Sequence, residues 1–349
     1  MDKAEKLKNL FGLDPSTVTG HALPEPIYPT MVSGRVLHVD GDFLAYQVSA
    51  DDTKSLDTMM HNHDVAIETL RLLAGAETVL SHLTASHGDK GNRYTLAIQK
   101  EYQGNRKDKV KPKHLHTIKS WMERKRHAKS WETQEADDGL CQANWSAIQA
   151  GTPELSVLVS KDKDLQMCQG IHLDWDTGDL ETVEGFGYVE LDRSKSSPKI
   201  VGKGNAFFWA QMLTGDTADN IQGIPALPGR VLNAVKPTAA VTKALKTLQD
   251  PAGTLQARSK AQGLLDNRKP GPCGPVVAYE LLKRVKTDAQ AYALVCSLYK
   301  AYGQDVGFKH WETGKKAPWQ KVFVAEAQLL WMRREPGEFD VLKYFKECK

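Results

Sequence analysis

The feature that most constrains this chain is a short apolar run, residues 155–159, that ends in Ser160-Lys161-Asp162-Lys163-Asp164. A run of that length and composition reads as a buried strand. Carboxylates just past the carboxyl end of such a strand stand where α/β sheets place their chemistry. Taken alone, the stretch reads rather as a polar turn that closes a strand. Four other stretches change the balance. Residues 35–39 form a strand-like run that ends in Asp40-Gly41-Asp42. Asp89 follows His87-Gly88. Glu135-Ala136-Asp137-Asp138 opens a helical segment, and Gly215-Asp216-Thr217-Ala218-Asp219-Asn220 closes an aromatic one. With Asp42 set aside as a helix cap, the candidate acids are Asp40, Asp89, Glu135, Asp137, Asp138, Asp162, Asp164, Asp216 and Asp219. Like charges gathered in one cleft repel strongly, and divalent cations relieve that repulsion. Oxygen-only donors favour a hard ion, Mg²⁺ or Mn²⁺, over zinc.

The chain of 349 residues has room for one large domain or two, each with a sizeable core. The five cysteines are scattered with no CxxC spacing, which predicts a reduced compartment and no structural zinc. No apolar run is long enough to span a bilayer, and the N-terminus lacks a signal-peptide pattern; no membrane role and a cytoplasmic location are expected. The overall charge of +3 hides a strong asymmetry. Between Asn105 and Lys129 stand ten lysines and arginines against two acids, a local charge of +8 that leaves −5 for the rest. An acidic site paired with a basic stripe suits a metal-dependent enzyme acting on phosphodiesters. The bland alternative for the stripe is a solvated helix face.

Strands are expected at residues 36–39, 80–86, 94–98 and 155–159, with a hairpin at 171–183. Helices are expected at 64–73 with Asp64 as cap, 114–129, 135–148, 207–213, 276–285, 289–302 and 322–331. A short helix is expected at 3–11, and residues 250–275 read as an exposed connector. Alternating elements up to residue 183, then helices only, predict an α/β core with a helical subdomain. The histidines His61, His63, His114 and His116 fit no zinc spacing and read as surface residues. Met59-Met60 and Phe207-Phe208-Trp209 read as core.

These segments, in this order, resemble the 5′-nucleases of the flap endonuclease superfamily, and within it are most similar to the 5′→3′ exonucleases of short-tailed phages. The similarity runs from about Val36 to Gly229, with an echo at residues 329–333. It implies a PIN-like 5′-nuclease core with a central, mostly parallel sheet, plus a helix–hairpin–helix subdomain. The expected division is a leader at 1–33, a nuclease core at 34–205 with a basic arch at 102–130, a DNA-binding subdomain at 206–310, and a segment at 311–349 that returns to the core. The nine acids match the family's metal-site acids. Tyr102-Gln103-Gly104-Asn105-Arg106 matches a segment usually written Tyr-Lys-Gly-Asn-Arg, so Gln103 stands in place of a lysine thought to contact the scissile phosphate, and Arg106 or Lys107 would supply the charge. Gly223-Ile224-Pro225-Ala226-Leu227-Pro228-Gly229 stands where the family writes Gly-Ile-x-Gly-Ile-Gly.

The resemblance implies a two-metal-ion phosphodiesterase acting 5′→3′ on duplex DNA ends, nicks or gaps, or on RNA primers in RNA–DNA hybrids, as a monomer. It implies Mg²⁺, with Mn²⁺ able to substitute, the two ions lying about 3.5–4 Å apart. It also implies K⁺ at the hairpin, a contact that Ala226 and Pro228 restrict. The expected catalytic set is the nine acids with Arg106. The expected substrate contacts are Tyr102, Gln103, Arg106, Lys107, Lys109, Lys111, Lys113, Gly223 and Gly229; Tyr102 reads equally as a ring that stacks on a base and as an ordinary partly buried residue. If a phage encodes the chain, the location is the host cytoplasm. A structure-selective flap endonuclease, a catalytically weak DNA-binding protein and a PIN-type ribonuclease are the alternatives.

Overall fold

Alternating side chains in Val36-Leu37-His38-Val39 build the central strand, β1 (Val32–Asp40), which buries Leu37 and Val39 completely. The structure is a computed structural model that describes residues 28–107, 109–336 and 340–349. The chain divides into two units. The first comprises the described residues up to Asn92, Lys109–Glu184 and the described part of Met332–Glu338; the second comprises the described part of Arg93–Asp108, Gly185–Trp331 and the described part of Phe339–Lys349. The short helix expected at residues 3–11 lies outside the described residues.

In the first unit, β1 pairs in parallel with β2 (Ala76–Thr84) on one side and β4 (Ser156–Val159) on the other. β3 (Lys129–Trp131), β5 (Gly170–Leu173) and β6 (Leu180–Val183) complete the order β3-β2-β1-β4-β5-β6. Only β6 runs antiparallel, against β5. The central, mostly parallel sheet is the one expected from sequence. The chain leaves β1 toward β2 and later inserts β4 on the other flank. The carboxyl ends of β1 and β4 therefore meet at a switch point. Helices α1 (Gly41–Ser49), α2 (Leu56–Leu73), α3 (Leu115–Arg126) and α4 (Ala136–Gln149) flank the sheet. Leu37, Val39, Leu44, Leu70, Val157 and Val159 form one core cluster. Met59, Leu83, Ile118 and Met122 form another beneath α1 and α3.

The second unit is held by aromatic packing. Trp209 of α5 (Gly204–Thr214) stacks on Phe345 of the C-terminal helix Val341–Glu347, and Phe208 meets Trp331 edge-on. The Trp209 indole N–H donates to the Tyr344 hydroxyl over 2.9 Å. Phe208, Trp209 and Met59 are core residues, as their apolar setting predicts. The remaining helices are α6 (Gly229–Val235), α7 (Ala239–Gln249), α8 (Leu255–Asp266), α9 (Pro275–Leu282), α10 (Asp288–Asp305), α11 (Trp319–Leu330) and α12 (Val341–Glu347). No helix among the described residues is long and apolar enough to cross a membrane.

Several local expectations are corrected. Residues 94–98 alternate like a strand, yet Arg93–Leu96 is a single helical turn. Buried Arg93 fixes it there by donating to the Trp331 carbonyl. Residues after 183 are not helical throughout: β7 (Tyr188–Asp192) and β8 (Lys199–Lys203) form a hairpin that packs on α5 and α9. The connector expected at 250–275 contains α8, whose start is capped by Thr254 accepting from the Ala257 amide. Helix α2 begins at Leu56, capped by Ser55. Asp64 therefore lies inside it, where both carboxylate oxygens accept from Arg126. His63 is buried beside Trp121 rather than exposed.

Gly139 locks α4 to β3. A Cβ on it would lie 2.3 Å from the Trp131 indole nitrogen. Gly139→Ala is expected to destabilise the fold by about 1–3 kcal/mol, read from the midpoint of urea denaturation. An unchanged midpoint would mean that the helix start tolerates displacement.

Candidate metal centre

Each acid of the first unit is placed by a backbone element that ends beside it. Asp40 closes β1, is 4% exposed and caps α1. Its Oδ1 accepts from the Phe43 amide at 2.9 Å, and its Oδ2 accepts from the Ser160 hydroxyl at 2.6 Å. Asp42, expected as the cap, is displaced by Asp40 from that role. It sits in the first turn of α1, where it pairs with Lys119 at 2.7 Å and accepts from the Thr84 amide. Past β4, Ser160 also accepts from the Asp162 amide, and Asp162 accepts from the Asp164 amide to cap the short helix Lys163–Met167. Asp164 is buried and pairs with Lys163 at 2.8 Å. Glu135 caps α4 and lies 3.5 Å from Lys90.

Asp40, Asp42, Glu135, Asp137 and Asp162 act on one another through space. Burial, then the charges of Asp42 and Asp162, push the Asp40 carboxyl up to about 7, although two hydrogen bonds oppose the shift. Half-buried Asp137 is raised well above the usual carboxylate range by burial and then by Asp40, Asp162, Glu135 and Asp42. The charges that act most on Asp137 are all of its own sign. Such a set of oxygen donors fits a hard divalent cation, which removes the repulsion that raises these carboxyls.

Asp138 is engaged with the backbone around it. It is fully buried, its Oδ2 accepts from the Glu135 amide at 3.2 Å, and its Oδ1 accepts from the Arg333 amide at 3.0 Å. Glu135 and Asp138 form a capping box, which anchors the start of α4. The Arg333 guanidinium extends the anchor by donating to the carbonyls of Thr133 and Gly91. Asp89 closes the turn after β2, its Oδ1 accepting from the Gly91 amide.

Behind Asp40 lies a polar chain that motif reading missed. The Trp131 indole donates to His82 Nδ1 at 3.1 Å, and His82 Nε2 is 3.0 Å from His38 Nδ1. Burial, with the charge of Lys129, lowers His38 to about 4; burial, then His38 and Lys129, lowers His82 to about 3. Both rings are therefore neutral near pH 7. The indole donor fixes the tautomers, with His82 Nε2–H donating to His38. Period-two alternation along β1 and β2 was the available signal.

In the second unit, Asp216 and Asp219 shape a tight turn. Asp216 pairs with Ile221 through both backbone bonds and accepts from the amides of Ala218 and Asp219. Asp219 accepts from the Tyr102 hydroxyl at 3.1 Å, from Gln103 Nε2 at 3.0 Å and from Arg106 Nη2 at 2.5 Å. Tyr102 is 2% exposed and packs edge-on to Tyr94, so base stacking is corrected to a structural role. Gln103 is buried in a left-handed conformation and serves to tie its turn to Asp219. Arg106 also donates to the Ala218 carbonyl, and Lys107 pairs with Glu101 at 2.6 Å.

Gly223 donates to buried Glu326 at 2.8 Å, and its carbonyl accepts from Gln99; its amide is thus committed inside the unit. Burial pushes Glu326 up to about 7. Gly229 packs against the Arg268 carbonyl, which a Cβ would meet at 1.8 Å. Of the basic segment in the first unit, the expected contacts Lys109, Lys111 and Lys113 are exposed, while Lys119 and Arg126 serve internal ion pairs.

No family model and no curated protein matches the chain. Solved structures do. The T5 D15 protein co-crystallised with metal ions is 14% identical over 85% of this chain and all of that chain, at TM-score 0.40. The bacteriophage T5 D15 flap endonuclease in a pseudo-enzyme-product complex with DNA and metal ions is 15% identical over 85% of this chain and 99% of that one, at 0.38. The catalytic core of Rad2 with a DNA substrate is 11% identical over 84% and 92%, at 0.29. Identities and TM-scores this low leave site and activity to be argued from the chain's own residues.

The titration of Asp40 sets a stability profile for the metal-free protein. Its folded value near 7 exceeds the ordinary 3.8. Between those values the unfolded chain releases the proton and the folded one keeps it. Stability therefore falls as pH rises through about 4–7, by on the order of 4 kcal/mol at most. Asp40→Asn is expected to flatten this decline in thermal melts in EDTA. Mg²⁺ is expected to raise the melting temperature of the native protein at pH 8 more than at pH 5. An equal decline in the variant would assign it to another group.

Proposed function

We propose that the protein is a divalent-metal-dependent 5′→3′ exonuclease that hydrolyses phosphodiester bonds of duplex DNA, and of RNA primers in hybrids, from 5′ ends, nicks or gaps. The observation that carries this reading is the group of mutually repelling carboxylates, Asp40, Glu135, Asp137 and Asp162, at the carboxyl end of a parallel sheet. These residues would hold the ions, with Asp164. The wider set implied by motif resemblance, with Asp89, Asp216 and Asp219, belongs to the same proposal. When bound there, two Mg²⁺ ions would supply Lewis-acid activation of water and stabilisation of the leaving oxygen.

The chain's own residues orient and steer. Ser160 fixes the Asp40 carboxylate while its own oxygen receives the Asp162 amide, so one hydroxyl sets the spacing of both acids. The Glu135–Asp138 box and the Arg333 backbone hold the first turn of α4 and with it Asp137. The exposed lysines at 109, 111 and 113 lead into α3, whose Lys119 pairs with Asp42. They form a cationic approach for a phosphate backbone.

Asp137→Ala or Asp162→Ala is expected to lower hydrolysis at least about a hundredfold, more than loss of a group that only supports a ligand costs. Binding of the same duplex should persist. The assay is release of short products from 5′-labelled duplex with and without Mg²⁺. Full activity in either variant would remove that residue from the site. A 5′-labelled flap separates the alternatives: mononucleotides mark an exonuclease, and one large fragment marks a flap endonuclease.

A further inference from the structure

Helix α11 presents apolar side chains on two sides. One side, with Val322, Phe323 and Leu330, is buried inside the second unit. The other carries Lys321, Val324, Ala325 and Gln328, which recur at helical spacing and line a groove of about 470 Å³. Leu96 and Ile98 form the facing wall. Leu96, Ile98 and Val324 are only half-buried, so the groove offers solvent an aliphatic floor.

Beside Ile98 stands a hairpin of β9 (Phe308–Lys309) and β10 (Lys316–Ala317), which leads directly into α11. The Trp311 amide donates to the Ile98 carbonyl at 2.8 Å, which sets the hairpin turn at the groove wall. Of the eight tryptophans, Trp311 alone is exposed, at 42%. Lys309 and Lys316 are direct partners across the hairpin, a placement that costs stability between like charges. Lys309, Lys315, Lys316 and Lys321 are exposed, and none forms an ion pair among the described residues. Residues 309–321 hold these four lysines against one acid, Glu312.

We propose that this groove is a docking site for an acidic segment of a partner protein, whose aliphatic side chains enter the groove while its carboxylates meet the lysines around it. The proposal goes beyond the hydrolytic reading and does not rest on it. An apolar floor with a charged rim and an exposed tryptophan has the anatomy of a protein interface. Lysines held opposite each other with no internal acid gain from carboxylates that another chain brings. A polynucleotide fits less well. Leu96, Ile98, Val324 and Ala325 offer no side-chain donor to a phosphate, and a lone exposed indole gives successive bases little to stack on. An amphipathic segment satisfies both parts of the surface at once.

The test pans a phage-displayed library of random dodecapeptides on the full chain in EDTA. The leading peptide is then synthesised with a fluorescein label and titrated by anisotropy. Two variants are compared with the native protein: the combined Lys309→Glu, Lys316→Glu and Lys321→Glu, and Trp311→Ala. Thermal melting checks their folding, which exposed substitutions leave nearly unchanged. The enriched peptides are expected to combine acidic with aliphatic residues. Each variant is expected to weaken the leading peptide at least about tenfold. Failure to enrich such peptides overturns the docking site, as does native affinity in either variant. Displacement of the peptide by single-stranded DNA that loses affinity in the same variants also overturns it and makes the groove a nucleic-acid surface. Binding is read without metal, so the result is separate from any loss of hydrolysis.

Discussion

Repulsion among carboxylates held at the carboxyl ends of β1 and β4 is the constraint around which the first unit is built. The fold does not relieve it by spacing the acids apart. Asp40, Glu135 and Asp162 each cap a helix or helical turn, so each faces unsatisfied amides and the positive end of a peptide dipole. That is enough to hold the backbone in place without neutralising the group. Asp137 sits inside α4's first turn, where it benefits from the same dipole, yet its carboxyl is still raised by four neighbouring acids. What results is a set of like-charged oxygens in a fixed geometry, which is what an oxygen-lined site for a hard cation requires.

Much of this was legible in the sequence, and the limits have physical causes. Strand ends followed by acids are visible because burial and charge alternate sharply there, as at Val159 and Asp162. The roles of adjacent acids are harder. Asp137 and Asp138 are consecutive on a helix and so point in directions about 100° apart. One can face the sheet edge only if the other faces elsewhere. The spacing from Glu135 to Asp138 carried the signal, since an N-cap acid with an acid three residues on is a capping arrangement. The partner that completes it, Arg333, arrives from 195 residues away, and no window around α4 contains it. The contacts of Tyr102 and Gln103 leave no local signal for the same reason: they are to Asp219, which lies 116 or 117 residues on.

The basic residues show how composition can both reveal and conceal. The run between Asn105 and Lys129 stands out by count, but Lys119, Arg126 and Lys129 are already engaged, with Asp42, Asp64 and the Trp131 ring. The cations of residues 229–270 are more diluted by Ala, Leu and Gln, so no window stands out, yet most are exposed and outside ion pairs. The altered hairpin also has a partner distant in sequence. Read as a continuous stretch, Ala226 and Pro228 replace the glycines expected there. In space the neighbour of Leu227 is Gly271, followed by Pro272-Cys273-Gly274 at the start of α9. A ladder bond across more than forty residues cannot be seen in any local window.

A raised carboxyl is not in itself a mark of function, and Glu326 shows why. It reaches about 7, like Asp40, and is 1% exposed. Its shift comes from burial alone; every other influence on it, from Gln99, Gly223, Lys100 and Gln222, pulls the other way. Such a group settles its own energetics by keeping a proton, and it seals the turn at Gly223 as a neutral side chain. Asp40 and Asp137 differ in that their shifts include the fields of other carboxylates. Protons could neutralise that set only one acid at a time, each changing the next. A multivalent cation acts on all of them together, which is the physical reason to separate the metal centre from an ordinary buried acid.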